Sequence, residues 1–303
     1  MPVKPDIPQF VLTNFRQEHR QENDSSHFGY SNLPDSKKIK GFEIYSSEGV
    51  KPALGPLKSL FYRMSFSVKG SVDVQIGLEE FSCRPGSVAF TFPGQVFSKR
   101  NISADAFGYY ILFDKDFMEE VMPADRLVQE FPFFDYSGMP HVVLPLEVVA
   151  ATEDLLKKMN EEVQEMRTGR EKAIKMYLYL LLLGVKRCYD TQQPATNGND
   201  YLVARFRKLV SQHFLTKRKV SDYAELLNVT ANHLNRTVKN STGNTASAAI
   251  SEMLLREAKA VLKYTDASVS EVSYQLDFSD PAAFSRFFRE QTGITPMAFR
   301  RNA

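Results

Sequence analysis

Cysteine is scarce in this chain, and long apolar runs are absent. Two cysteines in 303 residues, Cys83 and Cys188, are too few for a disulfide framework. Either thiol could sense redox state, but a plain thiol is the default. The longest apolar stretch, residues 176–185, is too short to span a bilayer, and the N-terminus has no run of signal-peptide length. We therefore expect no membrane partner and a reducing, cytoplasmic environment.

Motifs for metal binding and catalysis are also missing. The sequence contains no Cys/His cluster with zinc spacing, no G-x-S-x-G, no Walker loop and no G-x-G-x-x-G. The five histidines are scattered along the chain and indicate no shared site. We expect no metal, no cofactor and no catalytic residue.

Charge is unevenly distributed. The chain carries a net charge of +2, but residues 200–303 hold 15 Lys and Arg against 10 Asp and Glu, a net of +5. The remaining 23 basic and 26 acidic residues give a net of −3. A basic C-terminal third on an acidic body favours a polyanionic partner, although a surface of this charge is common in other proteins.

Sequence periodicity divides the chain into four regions. Within residues 1–144, apolar residues alternate between Pro-Gly turns, which predicts a β-barrel or sandwich. Residues 145–190 have the longer period of two amphipathic helices that form a hairpin. Residues 191–200 have the composition of a linker, and residues 201–303 are helical throughout. The prediction is an α+β multidomain chain with an all-α C-terminal domain.

A repeat occurs in the C-terminal region. Residues 227–245 resemble residues 276–295, because the Thr-Gly-x-Thr that closes each segment recurs 50 positions later. Arg236 matches Arg286 at the same offset, and the second copy has one extra residue near its turn. Two copies of one unit are therefore predicted.

Each copy has the start and stop signals of a helix–turn–helix. In the second copy, Ser268 and Glu271 have capping-box spacing, and Asp280 followed by proline starts the next helix. In the first copy, a turn is expected at Asn228 and an N-cap at Thr230.

The second helix of each unit has two different faces. Phe284, Phe287 and Phe288 recur at i, i+3 and i+4 and must be core. Small, amide and cationic side chains form the opposite face, and they suit entry into a DNA major groove. These predicted DNA-binding residues are Asn232, Asn235, Arg236 and Lys239 in the first unit and Ala282, Ser285, Arg286 and Arg289 in the second. One such helix is usually only solvated, but two units with the same pattern favour double-stranded DNA as the partner.

These residues resemble the DNA-binding region of AraC/XylS-type transcription regulators. The resemblance covers residues 201–302 and is most specific at Phe278, Phe284, Arg286, Phe288, Gly293, Thr295, Pro296, Phe299 and Arg300. It implies two helix–turn–helix subdomains joined by a long helix over residues 246–264. It also implies RNA polymerase as a partner and binding to successive major-groove segments about one turn apart.

Three features depart from the family pattern. Asp277 stands where glycine is usual, which predicts slight strain in the second turn, and Leu254 stands where many members have arginine. Pro281, Ala282 and Ala283 give the start of the second recognition helix no hydrogen-bonding side chain. The first recognition helix is therefore expected to carry more of the specificity.

The N-terminal region more loosely resembles the cupin-like sensing domain of such regulators. The segment RPGSVAFTFPGQVFS carries the resemblance, with Phe97 where a histidine often stands. No histidine lies between residues 41 and 113, which argues against a metal enzyme. Strand residues that could line a pocket for a small-molecule effector, or form ordinary core, are Tyr62, Met64, Phe66, Phe90, Phe92 and Tyr109. On the opposite face, Arg63 either pairs with an acidic ligand or is exposed.

The helical hairpin is the predicted homodimer interface, with packing against the barrel alone as the alternative. The sequence thus predicts a DNA-binding transcription regulator controlled by an effector in the N-terminal barrel. Two alternatives stay open: a regulator controlled by a protein partner, and a barrel enzyme fused to a DNA-binding domain.

Overall fold

The computed structural model describes residues 8–22, 24, 26–31, 33–77, 79–135, 138–192 and 200–302. Their contacts divide them into two compact units, one within residues 9–192 and one within residues 200–302. Most of the predicted linker, residues 193–199, lies outside the described residues.

The N-terminal unit contains the strands and the helical hairpin. Its described strands are β1 (Gln9–Phe10), β2 (Phe42–Ser46), β3 (Leu54–Ser59), β4 (Tyr62–Lys69), β5 (Val72–Ile76), β6 (Glu79–Cys83), β7 (Ser87–Thr91), β8 (Val96–Arg100), β9 (Phe107–Phe113) and β10 (His141–Val143). Its described helices are α1 (Leu12–His19), α2 (Ala124–Glu130), α3 (Leu146–Glu165) and α4 (Arg170–Gln192), with one-turn 3-10 helices at Asp35–Lys37 and Pro132–Phe134.

The strands form two five-stranded sheets. Sheet A has the order β1-β3-β8-β5-β6, and sheet B has the order β10-β7-β4-β9-β2. All pairs are antiparallel except β1 with β3. In sheet B, Met64 of β4 lies opposite Ile111 of β9 and Phe90 of β7. Among the described strands no ladder joins sheet A to sheet B, so the cupin-like barrel is not closed.

Both faces of sheet B are covered. Strand β4 has an apolar, largely aromatic face on one side and a polar face on the other. The aromatic face lies against the helical side of the unit, where the ring of Phe90 is 3.9 Å from that of Phe133 and Tyr62 is 5.0 Å from Phe134. The polar face of β4 is turned toward sheet A. Arg63, for which the sequence left exposure open, is only 4% exposed.

The predicted hairpin is part of the same core. Leu156, Met159, Leu178 and Leu182 are almost fully buried and belong to one cluster with the strand residues. The backbone of Gly29 fixes α3, because its N–H donates to Asn160 Oδ1 at 2.7 Å and its carbonyl accepts from Gln164 Nε2 at 2.7 Å. Packing against the sheet domain is therefore present, while dimerisation through the hairpin stays a prediction.

The C-terminal unit is all helical. Its described helices are α5 (Asp200–His213), α6 (Val220–Leu226), α7 (Ala231–Thr242), α8 (Ala246–Tyr264), α9 (Val269–Gln275), α10 (Pro281–Thr292) and α11 (Pro296–Asn302). The pairs α6–α7 and α9–α10 are the two predicted helix–turn–helix units, and α8 is the predicted long helix between them. This part of the predicted fold is confirmed.

The described helices include none with the length and apolar character to cross a membrane. Within the same residues, no three His, Cys, Asp or Glu side chains are grouped closely enough to hold a metal ion.

Candidate nucleic-acid interface

The tight turn of each unit has a left-handed residue at the same place. Asn228 has φ +55° and Asp277 has φ +58°, a region that Asn and Asp tolerate better than most side chains. The next N–H in each turn donates to an equivalent carbonyl: Val229 to Ala224 and Phe278 to Ser273, both at 3.0 Å. The turns are thus built alike, although the second contains one more residue before the next helix.

The recognition helices α7 and α10 also begin alike. Thr230 Oγ1 accepts from the N–H of His233 at 3.2 Å, and Asp280 Oδ1 accepts from the N–H of Ala283 at 2.7 Å. The latter bond holds the pKa of Asp280 below its usual range. Both N-caps satisfy an amide that has no partner inside its helix.

The two helices end on matching glycines. Gly243 has φ +77° and Gly293 has φ +78°, and their N–H groups donate to Lys239 and Arg289. The threonine before each glycine donates from Oγ1 to the carbonyl four residues earlier at 2.8 Å. The cap geometry therefore repeats bond for bond, which explains the Thr-Gly repeat in the sequence.

An apolar underside fixes each recognition helix to its subdomain. In α7, Leu234 and Val238 are buried, and in α10 the equivalent Phe284 and Phe288 are fully buried. The ring of Phe288 lies 5.5 Å from that of Phe299 in α11. The predicted core face is thus observed, with Phe287 only half-buried at its margin.

The opposite face of each helix is exposed and cationic. Arg236 and Lys239 on α7 and Arg286 and Arg289 on α10 are all exposed, as are Asn232 and Ala282. Within the described chain none of these four basic side chains has an ion-pair partner closer than 4.0 Å. Their charges are therefore available to phosphates or bases, and their role as DNA contacts stays a prediction.

Asn235 and Ser285 occupy equivalent places but have different bonds. Asn235 is half-buried, and its Oδ1 accepts from the N–H of Ala246 at 2.9 Å, so it ties α7 to the start of α8. Pro296 stands at the place of Ala246 in the second unit and has no N–H to donate. Ser285 therefore makes no equivalent hydrogen bond to the next helix. In Asn235, the amide nitrogen is the group left to bond a base.

The match to known families agrees with this geometry. Residues 223–302 match the family model described as a helix-turn-helix domain. The transcriptional activator RhaS of Salmonella schwarzengrund is 28% identical over 124 residues, which are 41% of this chain and 44% of that protein. RhaS of Salmonella newport is similar to the same extent. Residues 223–302 are thus a helix-turn-helix domain, similar in sequence to part of these activators.

The chain matches less than half the length of these curated relatives. Among solved structures, ToxT of Vibrio cholerae O395 is 12% identical, covering 86% of this chain and 98% of that one with a TM-score of 0.41. An AraC-type regulator of Chromobacterium violaceum is 24% identical, covering 34% of this chain and 93% of that one with a TM-score of 0.32.

Arg218 is a structural residue of the C-terminal unit that sequence reasoning missed. It precedes α6, yet its guanidinium donates to the carbonyls of Leu276 and Asp277 and lies 4.2 Å from the ring centroid of Phe278. The residue before the first unit thereby holds the turn of the second. No local pattern signals such a contact, because the partners are almost 60 positions apart.

Only two of the six predicted effector residues lie at a cavity in the structure. A cavity of about 130 Å³ lies between sheets A and B, and Phe66 and Tyr109 line it. Tyr62, Met64, Phe90 and Phe92 are buried but do not line this cavity. The polar face of β4, with Arg63, Ser65 and Ser67, lines it instead. The sequence predicted the pocket on the apolar side of β4, but helices cover that side.

Proposed function

We propose that this protein is a sequence-specific DNA-binding transcription regulator whose N-terminal unit responds to a small molecule. The observation that carries the proposal is the repeated recognition helix. Two helices with matching caps each combine a buried apolar underside with an unpaired cationic face. Exposed Arg and Lys on a helix of this kind supply phosphate contacts, and Arg also reads guanine.

The two recognition helices are proposed to contact different segments of the DNA site. Arg236 and Arg286 occupy equivalent exposed sites and are the proposed base or phosphate contacts in successive major-groove segments. Asn232 offers an amide that can bond adenine, while Ala282 lets the helix backbone approach a thymine methyl. Lys239 and Arg289, one turn farther along, are the proposed phosphate contacts.

A homodimer is part of the proposal, since pairing two modules increases the avidity for DNA. Helix α4 presents Met176 and Leu180 in exposed positions, followed on the same side by the half-buried Leu183 and Gly184. This apolar strip is the proposed contact between two copies. Leu180→Glu is expected to turn a dimer into a monomer in sedimentation, and an unchanged mass would remove this face from the proposal.

Regulation by a ligand is favoured over regulation by a protein partner because the cavity between the sheets contains unpartnered charge.

RNA polymerase is the further proposed partner, in keeping with the activators that the DNA-binding domain resembles. The cytoplasm is the proposed location, as the compartment in which the DNA target would lie. The curated relatives are transcription regulators, and no catalytic role is proposed for any residue here.

Selection of bound sequences from random DNA tests the function directly. Purified full-length protein is expected to enrich one motif with two conserved segments about 10 base pairs apart, since α7 and α10 would meet successive turns. The Arg236→Ala, Arg286→Ala double variant serves as the matched control and is expected to enrich nothing. Equal enrichment by both proteins would refute the assigned interface.

A further inference from the structure

The cavity between sheets A and B has apolar walls and a cationic lining. Leu54, Val74, Phe97 and Phe107 contribute apolar surface, while His19, Arg63, Lys69 and Lys99 contribute the basic groups. No Asp or Glu lines it among the described residues. A cavity inside a protein core that holds basic groups without a counter-ion leaves an electrostatic deficit, which a bound anion would remove.

Arg63 is the centre of this deficit. Its side chain is buried, and neither Nη1 nor Nη2 has a hydrogen-bond partner among the described residues. The guanidinium lies over the ring of Phe97 at 4.0 Å and over that of Phe15 at 5.1 Å. Burial lowers the pKa of Arg63 to about 10, so the group is still charged at neutral pH. Buried arginines are normally paired, and an unpaired one calls for an explanation.

Two neighbouring basic side chains, Arg20 and His19, do not supply the missing partner of Arg63. Arg20, which follows α1, has its own partners: it is paired with Asp24 and donates to Tyr110 Oη at 2.9 Å. His19 Nδ1 donates to the carbonyl of Phe15 at 2.7 Å, and burial holds the pKa of His19 well below its usual value. His19 is therefore neutral, and its Nε2 is a buried acceptor without a partner among the described residues.

We propose that this cavity binds a small organic carboxylate with an apolar body about the size of one aromatic ring, held by the unpaired guanidinium of Arg63 and the amine of Lys99. The inference rests on the proposed function, because it names the chemical class of the effector. The planar fork of an arginine matches the two oxygens of a carboxylate, and the burial of both groups strengthens the bonds.

The size of the ligand follows from the cavity volume. A volume of about 130 Å³ is close to that of an engineered core cavity of ~150 Å³ that accepts benzene. A ring with a short carboxylate arm fits this space, since the arm reaches the charged groups and the ring contacts Val74, Phe97 and Phe107. A long alkyl chain exceeds a volume of about 130 Å³.

Binding of the anion is coupled to a proton. Burial and the charges of Arg63 and Arg20 lower the pKa of Lys99 to about 7 in the empty cavity. A carboxylate beside Lys99 would raise that pKa again, so the complex takes up a proton above about pH 7. The affinity is therefore highest below pH 7 and falls as the pH rises.

Other titratable groups at the cavity do not share this behaviour. His19 on α1 stays neutral, and burial raises the pKa of Cys83 on β6 to about 11. Tyr110 on β9 has a raised pKa, and Arg63 on β4 and Arg20 stay charged. Lys69 at the end of β4 is the remaining basic group of the lining. The change between neutral and alkaline pH is thus assigned to Lys99.

Calorimetry on the full-length protein tests the proposal with phenylacetate as the probe. Phenylacetamide has the same ring but no charge and is expected to bind about 10- to 100-fold more weakly. Decanoate is the size control and is expected not to bind. The affinity for phenylacetate should fall by up to about 100-fold from about pH 6 to about pH 9, with uptake of a proton. Equal binding of phenylacetate and phenylacetamide, or of decanoate, would overturn the proposal without any variant.

Two variants separate binding from folding. Arg63→Met removes the unpaired charge and keeps an unbranched side chain, so it should abolish phenylacetate binding while the melting temperature stays equal or rises. A purely structural arginine would instead give a lower melting temperature. Lys99→Met should weaken binding and remove its dependence on pH. Inorganic phosphate is the test for a general anion site, and phosphate binding as strong as that of phenylacetate would contradict the carboxylate assignment.

DNA binding by the same preparations distinguishes the two proposals. If the protein binds its selected DNA but no phenylacetate, the ligand class is wrong and the regulator function stands. If it binds phenylacetate in the Arg63-dependent manner but selects no DNA, the cavity assignment stands and the proposed function is wrong.

Discussion

Arg286→Ala is the most informative change at the proposed DNA interface. The guanidinium of Arg286 is exposed on α10, and it has no ion pair among the described residues, so its removal breaks no intramolecular salt bridge. Alanine also favours the helical backbone. The free energy of unfolding should therefore change by less than about 0.5 kcal/mol.

The effect on DNA binding should be much larger. Loss of one arginine contact to a base or phosphate costs roughly 1–3 kcal/mol, which corresponds to a Kd about 5- to 150-fold higher. The kind of contact is distinguished by salt. Loss of a phosphate contact lowers the slope of log Kd against log salt by about 1, whereas loss of a guanine contact relaxes specificity at one base position and changes the slope less.

Fluorescence anisotropy with the selected DNA, measured between about 50 and 200 mM salt, provides both quantities. Arg256→Ala is the control, because Arg256 is a half-buried arginine of α8 that pairs with Glu252 at 2.7 Å and lies outside the recognition helices. The reasoning is refuted if Arg286→Ala and Arg256→Ala bind DNA equally well, or if the loss of affinity is accompanied by a comparable loss of stability.

Three further predictions concern stability. Phe288→Ala should destabilise the C-terminal unit by about 3–5 kcal/mol in urea denaturation, since Phe288 is fully buried against Phe299, whereas the exposed Met297→Ala should change little. Arg218→Ala should cost about 1–3 kcal/mol through loss of its bonds to the second turn and its contact with Phe278, and Arg218→Lys should not restore the loss because lysine lacks the planar fork; full rescue by lysine would contradict this. Burial raises the pKa of Glu43 to about 7, so its carboxyl makes the fold less stable as the pH rises from the unfolded value of 4.5 to about 7. Glu43→Gln should therefore be more stable than the unchanged protein at pH 8, by up to about 3 kcal/mol, and similar to it at pH 4; an equal difference at both pH values would show that the carboxyl is not the cause.

The sequence by itself determined the all-helical C-terminal third of the molecule. Helix ends are set by short-range signals, and Thr230 and Asp280 act in the structure as the N-caps that the sequence predicts, while Gly243 and Gly293 end the same two helices. The same holds for the buried face of α10, because the 3.6-residue period of a helix fixes which side chains lie together. The sequence also showed Asp277 where glycine is usual, and in the structure Asp277 adopts the left-handed conformation that glycine usually provides.

Only the tertiary structure decided what covers each face. The two-residue period of β4 separates Tyr62 and Met64 from Arg63, but it cannot say which side meets the other sheet and which meets the helices. Both sides are buried here, so the polar side lines the cavity and Arg63 is left there without a partner. The bond between Asn235 and Ala246 and the contact of Arg218 with the second turn were likewise decided in three dimensions, because they join residues that no local pattern connects.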